Sequence, residues 1–185
     1  MLRSSSVPRG AEESLMGEVR FQPSSRDRGA AAVEFALVVP ILLAVMFGIV
    51  DYGLWFGDSL NVRQGVDEGA RRAVVKDFGS CSGASESEKT ACVVKERIGA
   101  FGGTVYVNVS VTGPAPSKTA GNWAKGGQLL VCAMLKEDGL TGLTPMPKDG
   151  ILRASVHKRV EVTAGSSVPA YSDTPPTGSD WDWCA

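Results

Sequence analysis

The fold of this chain is decided by residues 29–56, GAAAVEFALVVPILLAVMFGIVDYGLWF. Residues 35–50 carry no charge, and only Glu34 and Asp51 interrupt the apolar character of the whole stretch. A helix rises about 1.5 Å per residue, so about 20 apolar residues cross the hydrocarbon core of a bilayer. Residues 30–56 therefore predict a transmembrane helix.

The alternative interpretation of this stretch is a buried core helix of a soluble protein. The uncharged run and its aromatic flank exceed what a small soluble core needs, which favours the membrane. Tyr52, Trp55 and Phe56 suit the aromatic belt at the outer interface of a bilayer. Pro40 removes one backbone hydrogen bond and predicts a kink, which membrane helices tolerate better than soluble ones.

The segment before the helix, residues 1–29, predicts a disordered cytoplasmic leader. It has no apolar periodicity, and Ser, Pro and Gly interrupt any helical pattern. Translation could start at Met1 or at Met16, and the sequence leaves both open. Arg26 and Arg28 lie just before the apolar run, so the positive-inside rule places the N-terminus in the cytoplasm. We expect a single-pass protein of the cytoplasmic membrane whose C-terminal domain is extracytoplasmic.

The helical pattern continues beyond the membrane as an amphipathic segment, residues 57–78. Small apolar residues recur there at spacings of three and four: Val62, Val66, Ala70, Ala73 and Val74. Gly65 and Gly69 weaken the helix but allow another element to approach closely.

The remaining residues, 79–185, predict an exported α+β domain. A short second helix is expected near Glu86–Ile98, with Ser85 as its N-cap and Gly99 at its end. The period then changes to two, which predicts strands at Thr104–Thr112, Gln128–Lys136 and 154–164. We expect a small antiparallel sheet of about three strands on the amphipathic half of the long helix, followed by a loop-like C-terminal tail.

The four cysteines, Cys81, Cys92, Cys132 and Cys184, all lie on the predicted exported side. An even number in an oxidising compartment indicates two disulfides, and free thiols are the alternative. Of three pairings, Cys81–Cys92 closes a short local loop and Cys132–Cys184 restrains the tail, so this pairing is favoured. No CxxC spacing occurs and His157 is the only histidine, so neither a metal site nor a cofactor is expected.

Composition and motifs argue against other classes of function. The net charge of −1 does not suit a nucleic-acid-binding protein, which needs a basic face. No Ser/His/Asp arrangement, phosphate-binding loop or paired carboxylates with metal spacing occur, so we expect no catalytic residues and no enzyme activity.

Glu34 is the main candidate for a functional residue, because a carboxylate in the first turns of a membrane helix is costly. It could extend to the cytoplasmic interface, or it could pair with a neighbouring subunit or with a free α-amino group during assembly. Asp51 is more ambiguous, since a position at the outer interface would also explain it.

These residues resemble the TadE-like family of pseudopilins of the tight-adherence (Tad/Flp) type IV pilus system. The resemblance rests on GAAAVEFAL from Gly29, on Pro40, on FGIVDYG around Asp51, and on GARRA at residues 69–73. It implies a pilin-like fold, cleavage by a prepilin peptidase between Gly29 and Ala30, and Glu34 at the fifth mature position, where a glutamate supports subunit registration. Ala30 departs from the phenylalanine common at the first mature position of major pilins, and the leader counted from Met1 is long.

The resemblance implies a pseudopilin that acts in pilus assembly, secretion or cell adhesion through helix packing, with Glu34, Pro40 and Asp51 as assembly residues. Its partners would be the membrane, other pilins or pseudopilins in a homo- or hetero-oligomer, pilus assembly proteins and the prepilin peptidase. The alternative is a single-pass anchor that displays an extracytoplasmic binding module and has no role in a pilus.

Overall fold

The structure, a computed structural model, describes residues 25–99, 103–142, 144–164 and 168–184, with side chains from Gly29 onward. Residues 1–24 of the predicted leader, with both candidate start residues, lie outside these ranges. The chain divides into two compact units, and the division falls after Leu42.

The first unit is helical from Ser25, five residues before the predicted start at residue 30. Its helix is the beginning of α1 (Ser25–Val74), and Pro40 lies inside it. The apolar side chains are exposed, Phe35 and Leu37 both at 70% and Ile41 at 68%. Of the helices in the described residues, α1 is the one long and apolar enough to cross a membrane.

In the second unit, α1 supplies one side of the hydrophobic core. The predicted apolar stripe is buried along it: Val62, Val66, Ala70, Ala73 and Val74. The helix ends at Val74 and not near residue 78, because Lys76 adopts a left-handed conformation with φ of 62°. The amide of Lys76 donates to the Ala73 carbonyl and that of Asp77 to the Arg72 carbonyl, which is the bonding pattern of a Schellman C-cap.

Helix α2 (Glu86–Ile98) has the bounds that the sequence predicts. The Ser85 side chain accepts a hydrogen bond from the amide of Glu88 at 3.2 Å, which confirms it as the N-cap. Gly99 ends the helix with φ of 49°, a left-handed conformation that glycine adopts without steric cost.

The two glycines of α1 allow α2 to pack closely against it, as expected. A Cβ atom at Gly65 would lie 2.7 Å from Cγ1 of Ile98, and one at Gly69 would lie 2.6 Å from Cγ2 of Val94. Both distances are shorter than van der Waals contact, so a side chain at either position would force the two helices apart.

The sheet has four antiparallel strands in the order β3-β2-β1-β4, one more than the three expected. Strands β1 (Thr104–Thr112) and β2 (Gln128–Lys136) have their predicted bounds. Strand β3 is Ile151–Arg159 and not 154–164, because a left-handed turn at Pro147–Gly150 redirects the chain immediately before Ile151. The added strand β4 is Tyr171–Ser172, whose two residues are too few to show a period.

The C-terminal tail is therefore more ordered than the predicted loop. Asp173 joins it to β1 and α2, since its carboxylate accepts the amide of Val107 at 2.8 Å and pairs with the Lys95 ammonium at 2.8 Å. A disulfide between Cys132 and Cys184 fastens the end of the tail to β2. The core between α1, α2 and the sheet includes Trp123, which is fully buried.

Candidate functional site

Of the residues expected to act in processing and assembly, all but Asp51 lie on exposed helix in the first unit. Gly29, Ala30 and Glu34 are all exposed on α1, and a Cβ atom at Gly29 would meet nothing within 4 Å. From Gly29 onward, no described side chain or backbone group forms a hydrogen bond or ion pair with Glu34. The carboxylate of Glu34 is thus available to a group outside the described part of the chain.

Asp51 has a different environment, because the loop after β2 folds against it. The residue is 1% exposed, and its carboxylate accepts hydrogen bonds from Thr141 Oγ1 at 2.5 Å and Thr144 Oγ1 at 2.6 Å. The amide of Thr141 donates to it at 3.3 Å, and the neighbouring Tyr52 hydroxyl donates to the Pro145 carbonyl at 3.0 Å. Three donors satisfy the charge of Asp51, so this residue holds the loop against α1 within the second unit.

All four cysteines are paired in the combination that the sequence favours. Cys81 bonds to Cys92 and Cys132 to Cys184. Glu96 lies close enough to Cys81 and Cys92 to form the one cluster of three candidate metal ligands found among the described residues. The disulfide removes both thiolates of that cluster, and a metal site needs deprotonated cysteine.

A cavity of about 810 Å³ opens beside α1, between the start of β1 and the end of β2. Much of its wall is apolar and includes Val50, Leu54, Tyr106 and Met146. Its charged lining is mostly acidic and consists of Asp51, Asp58, Glu137 and Asp138 against Lys136. An apolar cavity with a few convergent polar groups is the usual form of a ligand-binding pocket.

Two of these acids, Asp58 and Glu137, form a buried carboxyl pair. Asp58 is 0% exposed and Glu137 is 8% exposed. Asn61 Nδ2 donates to Asp58 Oδ1 at 3.1 Å, whereas Asp58 Oδ2 is buried without a hydrogen-bond donor among the described residues. Burial and the adjacent Asp58 carboxyl raise the pKa of Glu137 to about 8, since two neighbouring buried carboxylates cannot both ionise easily.

The sequence patterns do not predict this pair, although Asp58 carries a signal of its own. Asp58 lies four residues before Val62 and eight before Val66, so it belongs to the buried stripe of α1. A charged residue in register with an apolar stripe indicates a special environment. Glu137 follows the last residue of β2, where an acidic residue is ordinary, and only the fold brings it to Asp58.

Comparison with protein families gives one match, and it covers the segment whose motifs resemble the TadE-like family. A family model described as TadE-like protein matches residues 29–71 and confirms the similarity of this segment to that family. The matched residues include Glu34, Pro40, Asp51 and Asp58 and end near the last turn of α1. Comparison with curated proteins and with solved structures gives no match.

Proposed function

We propose that this chain is a pseudopilin of the tight-adherence pilus machinery and acts in pilus assembly by packing its membrane helix against other subunits. The observation that supports the proposal most is the combination of the TadE-like match with the exposed apolar surface of α1. Exposed Phe, Leu and Ile side chains need lipid or protein neighbours, and a helix that is apolar all round suits both. No catalytic role is part of this proposal.

The contacts of Asp51 refine where the membrane would end. Irregular backbone is costly in hydrocarbon, so the loop that binds Asp51 belongs outside the lipid. We place the span at residues 29–50, which would be about 33 Å long as a helix and sufficient for a hydrocarbon core of about 30 Å. The N-terminus would face the cytoplasm of the inner membrane, and the disulfide-bonded domain would face the oxidising side.

Processing and registration would both depend on the start of α1. Cleavage between Gly29 and Ala30 would create a free α-amino group five residues from Glu34, counting both ends. The Glu34 carboxylate is exposed and has no partner among the residues described from Gly29 onward, so it could neutralise such a group on a neighbouring subunit. This pairing would fix how far one helix is displaced along the next.

A Glu34→Ala variant tests the proposal. We expect the protein to reach the membrane in normal amounts but to enter assembled pili or pilus complexes about tenfold less, a loss of about 1.4 kcal/mol of assembly free energy. Val33→Ala is the matched control, because Val33 is exposed on the same turn and carries no charge. Normal assembly of Glu34→Ala would contradict the proposed mechanism.

The second candidate function is a plain anchor that displays a binding module, and the cavity beside Asp58 favours it. Such a protein would remain an uncleaved monomer and would hold its partner outside the membrane, through residues 79–185 and the α1 residues that line the cavity. Cross-linking in cells followed by mass analysis distinguishes the two functions, since a pseudopilin should also be cross-linked through residues 30–50.

A further inference from the structure

The carboxyl pair of Asp58 and Glu137 has an unusual charge state for a folded domain. Both side chains are buried, and both line the same cavity. The raised pKa of Glu137 means that its proton reduces the negative charge of the pair, while Asp58 Oδ2 still has no hydrogen-bond donor among the described residues. A bound cation would balance the charge of the pair, would give Asp58 Oδ2 a donor and would release the proton of Glu137.

The cavity around the pair suits an organic cation better than a metal ion. Its volume of about 810 Å³ lies within the range of about 300–1,000 Å³ usual for small-molecule pockets. Calcium requires six or more oxygen ligands. Among the described residues, no group of three carboxylate, histidine or cysteine ligand atoms gathers within 4.8 Å at this cavity.

The walls of the cavity offer apolar surface to an alkyl chain and an aromatic ring to a cationic group. Val50, Leu54 and Met146 present apolar surface for methylene groups, and Tyr106 adds an aromatic ring at the start of β1. A cation is attracted to an aromatic face, and long basic side chains commonly bury their stems along apolar surface.

We propose that this cavity receives the guanidinium or ammonium group of an arginine or lysine side chain from a neighbouring protein subunit, with Asp58 and Glu137 as its anion. The identity of the partner as a subunit rests on the proposed function, whereas the chemistry of the cavity does not. Asp58 accepts from the cation through Oδ2, and the apolar walls enclose the stem.

The other charged groups that face the pair must be included in any pH dependence. Asp51 lies on α1 and is held by Thr141 and Thr144, while Lys136 and Asp138 flank Glu137 at the end of β2. Tyr106 faces the cavity from β1. Lys136 is the one basic residue in the described lining, and its positive charge opposes an incoming cation.

The binding test uses the full chain in detergent micelles and n-propylguanidinium, whose charge does not titrate below about pH 12. Backbone NMR shifts of Gly103 and Gly139, which line the cavity, report binding. We expect saturable shifts with n-propylguanidinium and none with its neutral isostere N-propylurea. Affinity should rise by about tenfold from pH 7 to pH 9 as Glu137 loses its proton. At pH 9, Asp58→Asn and Glu137→Gln should each lower the affinity by at least about tenfold, which corresponds to about 1.4 kcal/mol.

Glu96→Gln is the matched control, since it removes an exposed acid from α2 and should leave the affinity unchanged. Circular dichroism of the two cavity variants verifies that they remain folded. Equal shifts with N-propylurea, or unchanged affinity in both cavity variants, would overturn the cation site. If calcium shifts the signals of Gly103 and Gly139 and n-propylguanidinium does not, the cation site would also be overturned and a metal site would be indicated.

A second arm identifies the source of the cation. The double variant Asp58→Asn/Glu137→Gln should remain in the membrane but lose at least about tenfold of its assembly with other subunits. If the double variant assembles normally while the wild type still binds guanidinium, the proposal that the cation comes from a partner side chain is overturned. A free amine would then be the ligand. If Glu34→Ala also assembles normally, the proposed function fails, but the NMR titration still decides the chemistry of the cavity.

Discussion

Replacement of Gly65 by alanine tests the close packing of α1 on α2. At an ordinary helix position Gly→Ala stabilises by about 1 kcal/mol through helix propensity. Here the new Cβ would lie 2.7 Å from Cγ1, 2.8 Å from Cα and 2.9 Å from N of Ile98. Two of these three atoms belong to the α2 backbone, so a rotamer change cannot relieve the contact.

Overpacking costs typically about 1–3 kcal/mol, and a backbone contact places Gly65→Ala in the upper part of that range. After the gain in propensity is subtracted, we expect a net loss of about 1–2 kcal/mol in the free energy of unfolding. Gly57→Ala is the matched control, because a Cβ there would meet nothing within 4 Å, and it should stabilise by up to about 1 kcal/mol.

The assay is urea unfolding of the disulfide-bonded full chain in micelles, followed by tryptophan emission. Trp123 is fully buried in the core, so its exposure on unfolding contributes to the change in emission of the four tryptophans. The two variants should shift the unfolding midpoint in opposite directions. An increase in stability for Gly65→Ala equal to that for Gly57→Ala would refute the close helix packing.

Three further predictions concern Asp51, Glu137 and the tail. Asp51→Ala removes the acceptor of three hydrogen bonds, so the Thr141 amide should exchange with solvent at least about tenfold faster by hydrogen-exchange NMR, and unchanged exchange would contradict the tether. Because the folded-state pKa of Glu137 is raised from 4.5 to about 8, its contribution to stability is complete below about pH 4.5 and is lost as the pH rises to about 8. The free energy of unfolding should fall by at most about 1.4 kcal/mol per pH unit in this window, and the urea midpoints of Glu137→Gln should not show this fall. An identical pH dependence in that variant would exclude Glu137 as its source. Cys184→Ser should free Cys132 and lower stability by about 2–4 kcal/mol, and an unchanged urea midpoint would show that the tail bond contributes nothing.

Most of the secondary structure follows from local patterns of the sequence. Helix α2 and strands β1 and β2 have their predicted bounds, because Ser85 and Gly99 give clear capping signals and the valines of β1 alternate strictly. These signals lie within or directly beside the element that they define, so one sequence is enough to read them.

The errors arise where a boundary depends on the rest of the chain. Strand β3 starts three residues early because its pairing with β2 extends to Ile151, opposite Lys136. Strand β4 forms because Tyr171 and Ser172 pair with the edge of β1. Two residues are too few to show the alternation from which a strand is predicted.

The candidate sites divide in the same way. Gly29 and Glu34 are recognised by their order along the sequence, and the family match covers them. The cavity depends on Asp58 and Glu137, which are far apart in the chain and meet only through the packing of α1 against the end of β2. The sequence shows Asp51 as a charge at the end of the apolar run, but its role in holding the loop follows from its contacts with Thr141 and Thr144.

The most direct test of the pseudopilin proposal is the intact mass of the protein extracted from the membrane of its own cell without reductant. The proposal predicts a chain that begins at Ala30 and lacks the four thiol hydrogens removed by two disulfides. A mass that retains residues 1–29, or that starts at Met16, would contradict processing as a pseudopilin and would favour the plain membrane anchor.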